Sequence, residues 1–412
     1  MKKIILAGSA ANALEWYDFA LYASFSSILS KKFFPSYDPS TALLATYVVF
    51  AVGFLMRPLG AVLFGTIGDK FGRKSALSLA ILLMSIPTAL VGVLPTYETI
   101  GVAAPILLTV MRLLQGLSLG GALIGSASYI VEHASPKNRG ISGSFTMFSL
   151  CFGFMTGSAI AWALSTYLSV EAFESYGWRL PFLFGIVIIG MSYYFRYHAL
   201  ESPEFKKTRD AGHLIKNPFR ELLNTYKLVM FSSILINSLG SVGFYALAVY
   251  VAGYLQTTRD LSLSDVSIMS TWSMAVIMFS VVFAGWLSDV FGRKLWFVLI
   301  AIITAILIWP VCAMIETGGY TEIFIAQIIF ALLVGCWIGP EPALQIEMYP
   351  TYVRNTGVSV SYNLGCAIFG GATPVIFKML FGYFQSVYVV ACYIVLVALL
   401  SLVGLFFYKN RI

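Results

Sequence analysis

Charge is scarce in this chain. Asp, Glu, Lys and Arg make up 11% of its 412 residues, whereas soluble domains carry about 25% of these residues. Hydrophobic residues make up 59%, and the mean hydropathy is +0.84. A soluble protein with so little charge could not cover its surface, so the composition predicts an integral membrane protein.

The sequence also lacks the usual patterns of catalytic and metal sites. No His, Cys, Asp or Glu spacing resembles a metal site, and neither a phosphate-cradling glycine loop nor a nucleophile triad is present. The basic residues are scattered through short loops, which does not favour nucleic-acid binding. We therefore expect no enzyme activity, cofactor or metal. The five cysteines lie singly in apolar stretches, at Cys151, Cys312, Cys336, Cys366 and Cys392.

Twelve mostly apolar runs of about 20 residues or more are long enough to cross a bilayer. The first carries Glu15 and Asp18 and has no small-residue cleavage site, so it is predicted to be a span and not a signal peptide. The fold class is thus all-α, with a charged linker over 200–226 between halves 1–199 and 227–412. The predicted spans, numbered 1 to 12, are 5–30, 41–66, 76–95, 103–131, 140–166, 179–199, 227–255, 265–287, 295–315, 321–348, 356–384 and 386–408.

The basic residues predict the orientation of these spans. If the N-terminus is cytoplasmic, just five of the 26 Lys and Arg residues fall in outer segments and two fall inside spans. Lys and Arg concentrate on the cytoplasmic side of membrane proteins. We therefore expect a multi-pass protein of a bacterial inner membrane with both termini in the cytoplasm.

One ten-residue pattern occurs once in each half. Gly65–Lys74 and Gly285–Lys294 both have the form G-x3-D-x2-G-R-K, 220 residues apart. In a second pair, Glu132–Arg139 and Glu347–Arg354, the interval from Glu to Arg is the same in both copies, and the copies are 215 residues apart. Two motifs that recur in the same order with nearly the same offset indicate homologous halves related by a parallel repeat. Secondary transporters have this architecture.

Each copy of the pattern joins an even-numbered span to the next odd-numbered span on the predicted inner side. Its acid and bases can form ion pairs or bind the end of a helix dipole. We predict that such pairs latch the inner face and break when it opens; the alternative is that these charges only set the topology. The predicted latch residues are Asp69, Arg73, Lys74, Glu132, Arg139, Asp289, Arg293, Lys294, Glu347 and Arg354.

Further segments carry a resemblance to a known family. They include Asn12-Ala-Leu-Glu15-Trp16-Tyr17-Asp18-Phe19, Arg57-Pro58-Leu59-Gly60, Arg112-Leu-Leu-Gln115-Gly116, Gly177-Trp178-Arg179-Leu-Pro181-Phe182 and Glu201-Ser-Pro203-Glu204-Phe205. With the repeated pattern and twelve spans, the chain resembles the major facilitator superfamily over nearly its whole length. Within it, the segments resemble the metabolite–proton symporter branch, which holds proline/betaine, citrate, 2-oxoglutarate and shikimate carriers. The resemblance implies two six-helix bundles.

Ionisable residues inside the predicted spans are candidates for chemistry, since each costs several kcal/mol in hydrocarbon without a partner or water. Glu15, Asp18 and Arg112 have no charged counterpart in the second half, where Gln327 takes the position of Arg112. Sugar–proton symporters of the superfamily pair a span 1 carboxylate with a span 4 arginine. The resemblance therefore implies that Asp18 or Glu15 carries a proton with Arg112 as partner. We favour Asp18 for its depth; a purely structural ion pair is the alternative.

Polar and aromatic residues deep in the spans are candidates to line a substrate cavity. Arg57 is expected either to contact an anionic group or to snorkel to the inner surface. Glu341, between two prolines, either reaches water at a kink or acts as a gate or substrate contact. Aromatic rings could box a quaternary ammonium, or simply pack helices. The predicted lining comprises Asn12, Trp16, Arg57, Gln115, Asn237, Tyr245, Trp337, Glu341, Tyr362 and Asn363.

These patterns predict a proton-coupled symporter that imports a small carboxylate-bearing metabolite by alternating access between the two halves. The metabolite is expected to be an amino acid, a betaine or an organic acid. The alternative is a proton-driven efflux antiporter of drugs or metabolites, but span 5 lacks the Gly-x8-Gly-x3-Gly-Pro pattern of such exporters. The expected partners are the substrate, protons and the lipid bilayer, and we expect a monomer.

Overall fold

The computed structural model describes residues 2–34, 45–46, 48–49, 52–53, 55–187, 189–190 and 200–408. All regular secondary structure of these residues is helical. Parts of the predicted spans 2 and 6 lie outside the described residues. The chain forms two compact units: unit 1 comprises residues 1–129 and 149–218, and unit 2 comprises 130–148 and 219–412. The predicted division at 199 and 227 stays a prediction.

Unit 1 contains the helices of the first half. Its long helices end where glycine, proline or polar turn residues interrupt the apolar runs. The α-helices that begin in the first half of the chain, long and short, are Lys2–Ser24, Ser26–Phe33, Arg57–Phe71, Arg73–Val93, Tyr97–Ile100, Ala103–His133, Arg139–Tyr167, Val170–Ser175, Leu180–Leu183 and Pro203–Asp210. The segment 130–148, which joins the ends of two of these helices, belongs to unit 2.

Unit 2 contains the helices of the second half, two of which pass into π-helical turns. Its elements are Pro218–Thr225, Lys227–Tyr245, π-helical Ala246–Val251, Ala252–Thr257, Leu263–Phe291, Arg293–Thr317, Tyr320–Ile338, Glu341–Glu347, Arg354–Gly365, π-helical Cys366–Gly370, Thr373–Phe384 and Tyr388–Phe406.

Nine helices of the described residues are long and apolar enough to cross a membrane, and they match predicted spans 3 to 5 and 7 to 12. Span 1 forms the 23-residue helix Lys2–Ser24, which is more polar because it carries Glu15 and Asp18. Large apolar side chains such as Phe279 and Ile306 are more than 60% exposed. Exposed apolar surface of this kind is what a helix presents to lipid.

The second glycine of the repeated pattern is a turn that the fold requires. Gly72 has φ +102° between Phe71 and Arg73, and Gly292 has φ +87° between Phe291 and Arg293. Residues other than glycine rarely adopt such angles. In each half, therefore, this glycine ends the even-numbered span and lets the next helix begin at the motif arginine.

Two arginines that are predicted to lie on the outer side cap the C-terminal ends of helices. Arg179 donates to the carbonyl oxygens of Gly92 and Leu94 at 3.1 and 2.8 Å, and its guanidinium lies 4.5 Å from the ring of Trp178. In unit 2, Arg259 donates to two carbonyl oxygens at the end of Arg293–Thr317. Cations favour this end of a helix dipole. These contacts give Arg179 and Arg259 a structural role at helix ends.

Spans 2 and 4 approach each other closely at Gly116. A Cβ added there would overlap the backbone of Gly53. Gly116→Ala is expected to destabilise the protein by about 1–3 kcal/mol, since inserting atoms into a tight contact forces the backbone apart. Thermal unfolding in detergent should show a lowered Tm. Gly253→Ala is the matched control, because nothing lies within 4 Å of its added Cβ; equal melting of the two variants would refute the close contact.

Candidate functional site

Asp18 lies at the centre of a buried polar cluster in unit 1. Its Oδ2 is 2.8 Å from Nη1 of Arg112, and its side chain is buried. Its Oδ1 accepts hydrogen bonds from Thr88 Oγ1 at 2.9 Å and from Gln115 Nε2 at 3.0 Å. The carboxyl group is thus bound by spans 3 and 4 together.

Arg112 keeps unused donor capacity in this cluster. Its guanidinium lies 4.2 Å from the centre of the Tyr22 ring, a favourable cation–π distance. Its Nε and Nη2 atoms are buried, and neither has a hydrogen-bond partner among the described residues. Arginine presents its donors as a planar fork that matches carboxylates. The side chain that pairs with Asp18 therefore still has N–H groups to offer a second anion.

Glu15 lies one helical turn before Asp18 and is 1% exposed. Neither of its carboxyl oxygens has a hydrogen-bond partner among the described residues. Glu15, Asp18, Arg112 and Gln115 line a cavity of about 20 Å³. That volume suits about one water molecule. The structure thus brings both acids that the sequence singled out to one small cavity.

The other predicted residues of unit 1 make contacts of their own. Asn12 donates from Nδ2 to Ser149 Oγ at 3.0 Å, which ties span 1 to span 5. Trp16 is 6% exposed, and its ring centre is 5.3 Å from that of Phe19. Arg57 begins the helix Arg57–Phe71, is 7% exposed and acts electrostatically on Glu15.

In unit 2 the structure joins two predicted lining residues directly. Asn237 Nδ2 donates to Glu341 Oε1 at 2.8 Å, and both side chains are buried. Gln345, one turn after Glu341, donates more weakly to the same oxygen at 3.4 Å. Spans 7 and 10 therefore share a polar contact, as spans 1 and 4 do in unit 1. Its acid, however, has amides as partners where Asp18 has an arginine.

The remaining predicted lining residues of unit 2 are engaged between helices. Trp337 is 1% exposed, donates from Nε1 to Ile236 O at 3.2 Å and packs edge-on against Phe297. Asn363 is buried and donates to Ser359 O at 2.9 Å. The two tyrosines, Tyr245 and Tyr362, are half-buried. The role of these four side chains in lining a substrate cavity stays a prediction.

The first copy of the repeated pattern lies in unit 1, where it contacts the linker. Arg73 is fully buried, 3.1 Å from Asp69, and its guanidinium lies 5.3 Å from the ring of Phe205. The backbone N–H of Lys74 donates to Glu201 at 3.2 Å. The linker residues quoted in the resemblance therefore bind this loop through a ring and a carboxylate.

The second copy lies in unit 2 and binds a helix N-terminus. Asp289 accepts hydrogen bonds from the backbone N–H groups of Gly140 and Ile141, each at 2.8 Å. Arg293 is 2.6 Å from Asp289 and 3.4 Å from Glu347. A carboxylate at a helix N-terminus neutralises unpaired N–H groups and the positive end of the dipole. The aspartate thus links span 8 to the start of span 5.

The remaining predicted latch residues are divided between buried and exposed positions. Arg354 Nη1 is 2.8 Å from Glu132 Oε1, with side chains 1% and 0% exposed. Arg139 is buried at the start of Arg139–Tyr167, and Lys294 is exposed. The Glu132–Arg354 bridge crosses from one copy of the second repeat to the other, and both residues belong to unit 2.

Comparison with known proteins follows the same division into halves. The sequence matches the family model described as sugar (and other) transporter over residues 4–212 and again over 204–410. The proline/betaine transporter of Escherichia coli K12 is 31% identical over 98% of this chain and 82% of its own length. The chain belongs to this transporter family. The citrate-proton symporter of Klebsiella pneumoniae is 32% identical over 92% of this chain and 85% of its own length.

A structural comparison confirms the predicted fold class. The proton:xylose symporter XylE of the major facilitator superfamily superposes with a TM-score of 0.80 at 18% identity, covering 99% of this chain and 95% of that one. At this identity the likeness shows the fold, which is the all-α fold of twelve spans. This member of the transporter family is therefore a multi-pass membrane transporter and not an enzyme. Within the described residues no cluster of His, Cys, Asp and Glu could hold a metal ion.

The sequence did not identify several residues that complete the transporter's polar clusters. Thr88 and Tyr22 contact Asp18 and Arg112, and Gln345 contacts Glu341. Thr88 lies in an apolar stretch beside Pro87, and Tyr22 is one of 23 tyrosines. Thr88 has no local signal. A helical-face analysis could have found Gln345 and Tyr22, because they are four residues from Glu341 and from Asp18.

Proposed function

We propose that this transporter is a proton-coupled symporter that imports a small carboxylate-bearing metabolite. The observation that carries the proposal is the buried pair of Asp18 and Arg112, 2.8 Å apart inside the membrane-spanning part of unit 1. An aspartate held by one arginine and two neutral donors is a group whose protonation changes the charge of its surroundings. The names of the relatives, a proline/betaine transporter and a citrate-proton symporter, support both the coupling and the substrate class.

Charge balance explains why a proton and a carboxylate would bind together. When Asp18 takes up a proton, Arg112 loses its counter-charge in a region where an unpaired charge costs several kcal/mol. A substrate carboxylate restores that balance by accepting from the N–H groups of Arg112 that have no partner among the described residues. The cavity at Asp18 holds about one water, so substrate entry requires this site to open. Loading and opening are thereby linked.

We extend the proposal to orientation and gating. Both termini face the cytoplasm of a bacterial cell, the protein is a monomer, and halves 1–199 and 227–412 alternate in access. The contacts of Asp289 with the start of Arg139–Tyr167 and the Glu132–Arg354 bridge act as the inner latch. These are charge-assisted contacts, which are stronger than neutral hydrogen bonds and therefore suited to hold one state until substrate and proton are bound.

Uptake into proteoliposomes tests the proposal. Radiolabelled proline, glycine betaine, citrate, 2-oxoglutarate and shikimate should each be measured with and without an inward proton gradient. We expect one compound or chemical group of compounds to accumulate only with the gradient. If the inward proton gradient instead drives a compound out of preloaded proteoliposomes, the result supports the efflux alternative. Transport that ignores the gradient for every compound would contradict coupling.

A further inference from the structure

Glu341 is a buried carboxyl group that the proposed coupling at Asp18 does not use. It begins the helix Glu341–Glu347 directly after Pro340, in span 10, and is 2% exposed. Among the described residues, no Lys, Arg or His lies within ion-pair distance of its oxygens. Its hydrogen-bond partners there are the neutral amides of Asn237 and Gln345. A carboxylate in this position would be buried in the membrane without a counter-charge.

Hydrogen bonds determine which end of each amide faces Glu341. Oδ1 of Asn237 accepts from Ser241 Oγ at 2.8 Å, so its Nδ2 is the atom that donates to Glu341 Oε1. Oε1 of Gln345 accepts from Ser233 Oγ, so its Nε2 faces Ser233 O, at 3.1 Å, and Glu341 Oε1. Both amides therefore present N–H groups to a single carboxyl oxygen and leave Oε2 to a different ligand.

The surroundings of the two oxygens suit a proton better than any larger ligand. The N–H groups at Oε1 would repel a metal ion or an ammonium group. Oε2 lies against span 7 at Gly240, where an ideal Cβ would stand 2.9 Å from it. A protonated carboxyl fits this space because it accepts at Oε1 and carries hydrogen on Oε2. Burying it costs far less than burying the carboxylate. We infer that Glu341 is a second proton-binding site of the transporter.

Span 11 offers a way to change the proton affinity of this site. Cys366–Gly370 is π-helical, a local irregularity that is frequent at functional sites. The Cys366 thiol is 3.4 Å from Ser241 Oγ and 3.8 Å from Asn237 Oδ1. A shift of this segment turns the Asn237 amide, which removes a donor from Glu341. Proton binding and movement of span 11 are then coupled through one amide.

The other titratable and charged groups around Glu341 have defined positions. Span 7 faces it with Asn237 and Gly240, which do not titrate, and span 11 contributes the Cys366 thiol beside Asn237. The charged side chains at the predicted inner ends of neighbouring elements pair with one another; they are Asp289 with Arg293, Arg293 with Glu347, and Glu132 with Arg354.

Infrared difference spectroscopy tests the site without requiring a known substrate. The purified full chain in lipid is titrated from acidic to alkaline pH, and the C=O band of protonated carboxyl groups is followed. We expect Glu341→Gln to lose one titrating band that wild type and Asp18→Asn keep. Gln preserves the acceptor at Oε1 and the side-chain size. Glu322→Gln, at the other end of span 10, is the control and should keep the band that Glu341→Gln loses; identical spectra of wild type and Glu341→Gln would rule the site out.

Accumulation measurements test its role in transport, which rests on the proposed symport. Each coupled proton multiplies the limiting accumulation ratio about tenfold for a pH gradient of one unit. With proline, glycine betaine and citrate as probes, Glu341→Gln should lower the ratio about tenfold in the compound that wild type accumulates. An unchanged ratio in Glu341→Gln would show that Glu341 takes no part in coupling, and it would not affect the proposal for Asp18. An unchanged ratio in Asp18→Asn alone contradicts the proposed coupling at Asp18 and leaves Glu341 in place.

Discussion

Asp18→Asn should lower the limiting accumulation ratio of the transported metabolite about tenfold at a one-unit pH gradient, because one coupled proton contributes that factor. Asparagine has nearly the same size and still offers Oδ1 to Thr88 and Gln115, which contact the native carboxyl at 2.9 and 3.0 Å. It cannot take up a proton or compensate Arg112. Exchange of labelled for unlabelled substrate should therefore continue while gradient-driven accumulation falls. Paired counterflow and net-uptake assays measure the two activities separately.

The control for this result is another acid of unit 1. Glu98 is exposed near the end of span 3, and Glu98→Gln should accumulate substrate like wild type. The coupling role of Asp18 fails if Asp18→Asn accumulates as much as wild type. Loss of both exchange and accumulation with a lowered Tm would instead show the structural ion pair that the sequence left open. The two readings of the pair thus predict different combinations of measurements.

Arg354→Met should destabilise the transporter by about 3–5 kcal/mol, the usual effect of removing one partner of a buried ion pair. The native guanidinium is 2.8 Å from Glu132 and also donates from Nε to Tyr349 O at 3.0 Å. Methionine fills much of the space but removes the cation that lies 2.8 Å from the buried Glu132 carboxylate. Thermal unfolding in detergent should show a large fall in Tm.

A double-mutant cycle separates the ion pair from simple packing. Adding Glu132→Gln to Arg354→Met should recover part of the lost stability, since the carboxylate that lost its arginine is gone. Lys31→Met is the matched control. Lys31 and Glu174 also form a pair, and the hydrogen bond from Lys31 lowers the pKa of Glu174, but the two side chains are 66% and 39% exposed. Solvent screens such pairs, so the Tm of Lys31→Met should stay near that of wild type. Equal losses of Tm in Lys31→Met and Arg354→Met would contradict a stabilising role of the buried Glu132–Arg354 pair.

The partners of Asp18 show how far local sequence can identify a site. Asp18 and Arg112 stood out because each is a charge inside an apolar span, and their pairing followed from the family resemblance. The structure places them 2.8 Å apart. Thr88 and Tyr22 could not be found in this way, since a threonine or tyrosine in a span is common. Their part in the cluster depends on how helices far apart in sequence rotate against one another.

The two copies of the repeated pattern show a limit of a different kind. Their identical spacing predicted equivalent contacts, and the turn at the second glycine is indeed equivalent, at Gly72 and Gly292. The aspartates also share an ion pair, Asp69 with Arg73 and Asp289 with Arg293, but the motif gave no sign that Asp289 binds the N–H groups of Gly140 and Ile141. A motif determines its own backbone, but the surface packed against it supplies its partners.

The sequence by itself determined the membrane class, the twelve spans, the duplication and the acids and arginines inside the membrane. These follow from hydropathy, periodicity and the high cost of burying charge, which act within short stretches of chain. Only the tertiary structure decided that Asp18 and not Glu15 is the acid paired with Arg112, that Glu15 shares their cavity and that Glu341 has amides as partners. Hydrogen bonds depend on distances of a few tenths of an ångström between residues distant in sequence. Such distances are set by helix packing and are not encoded in any local pattern.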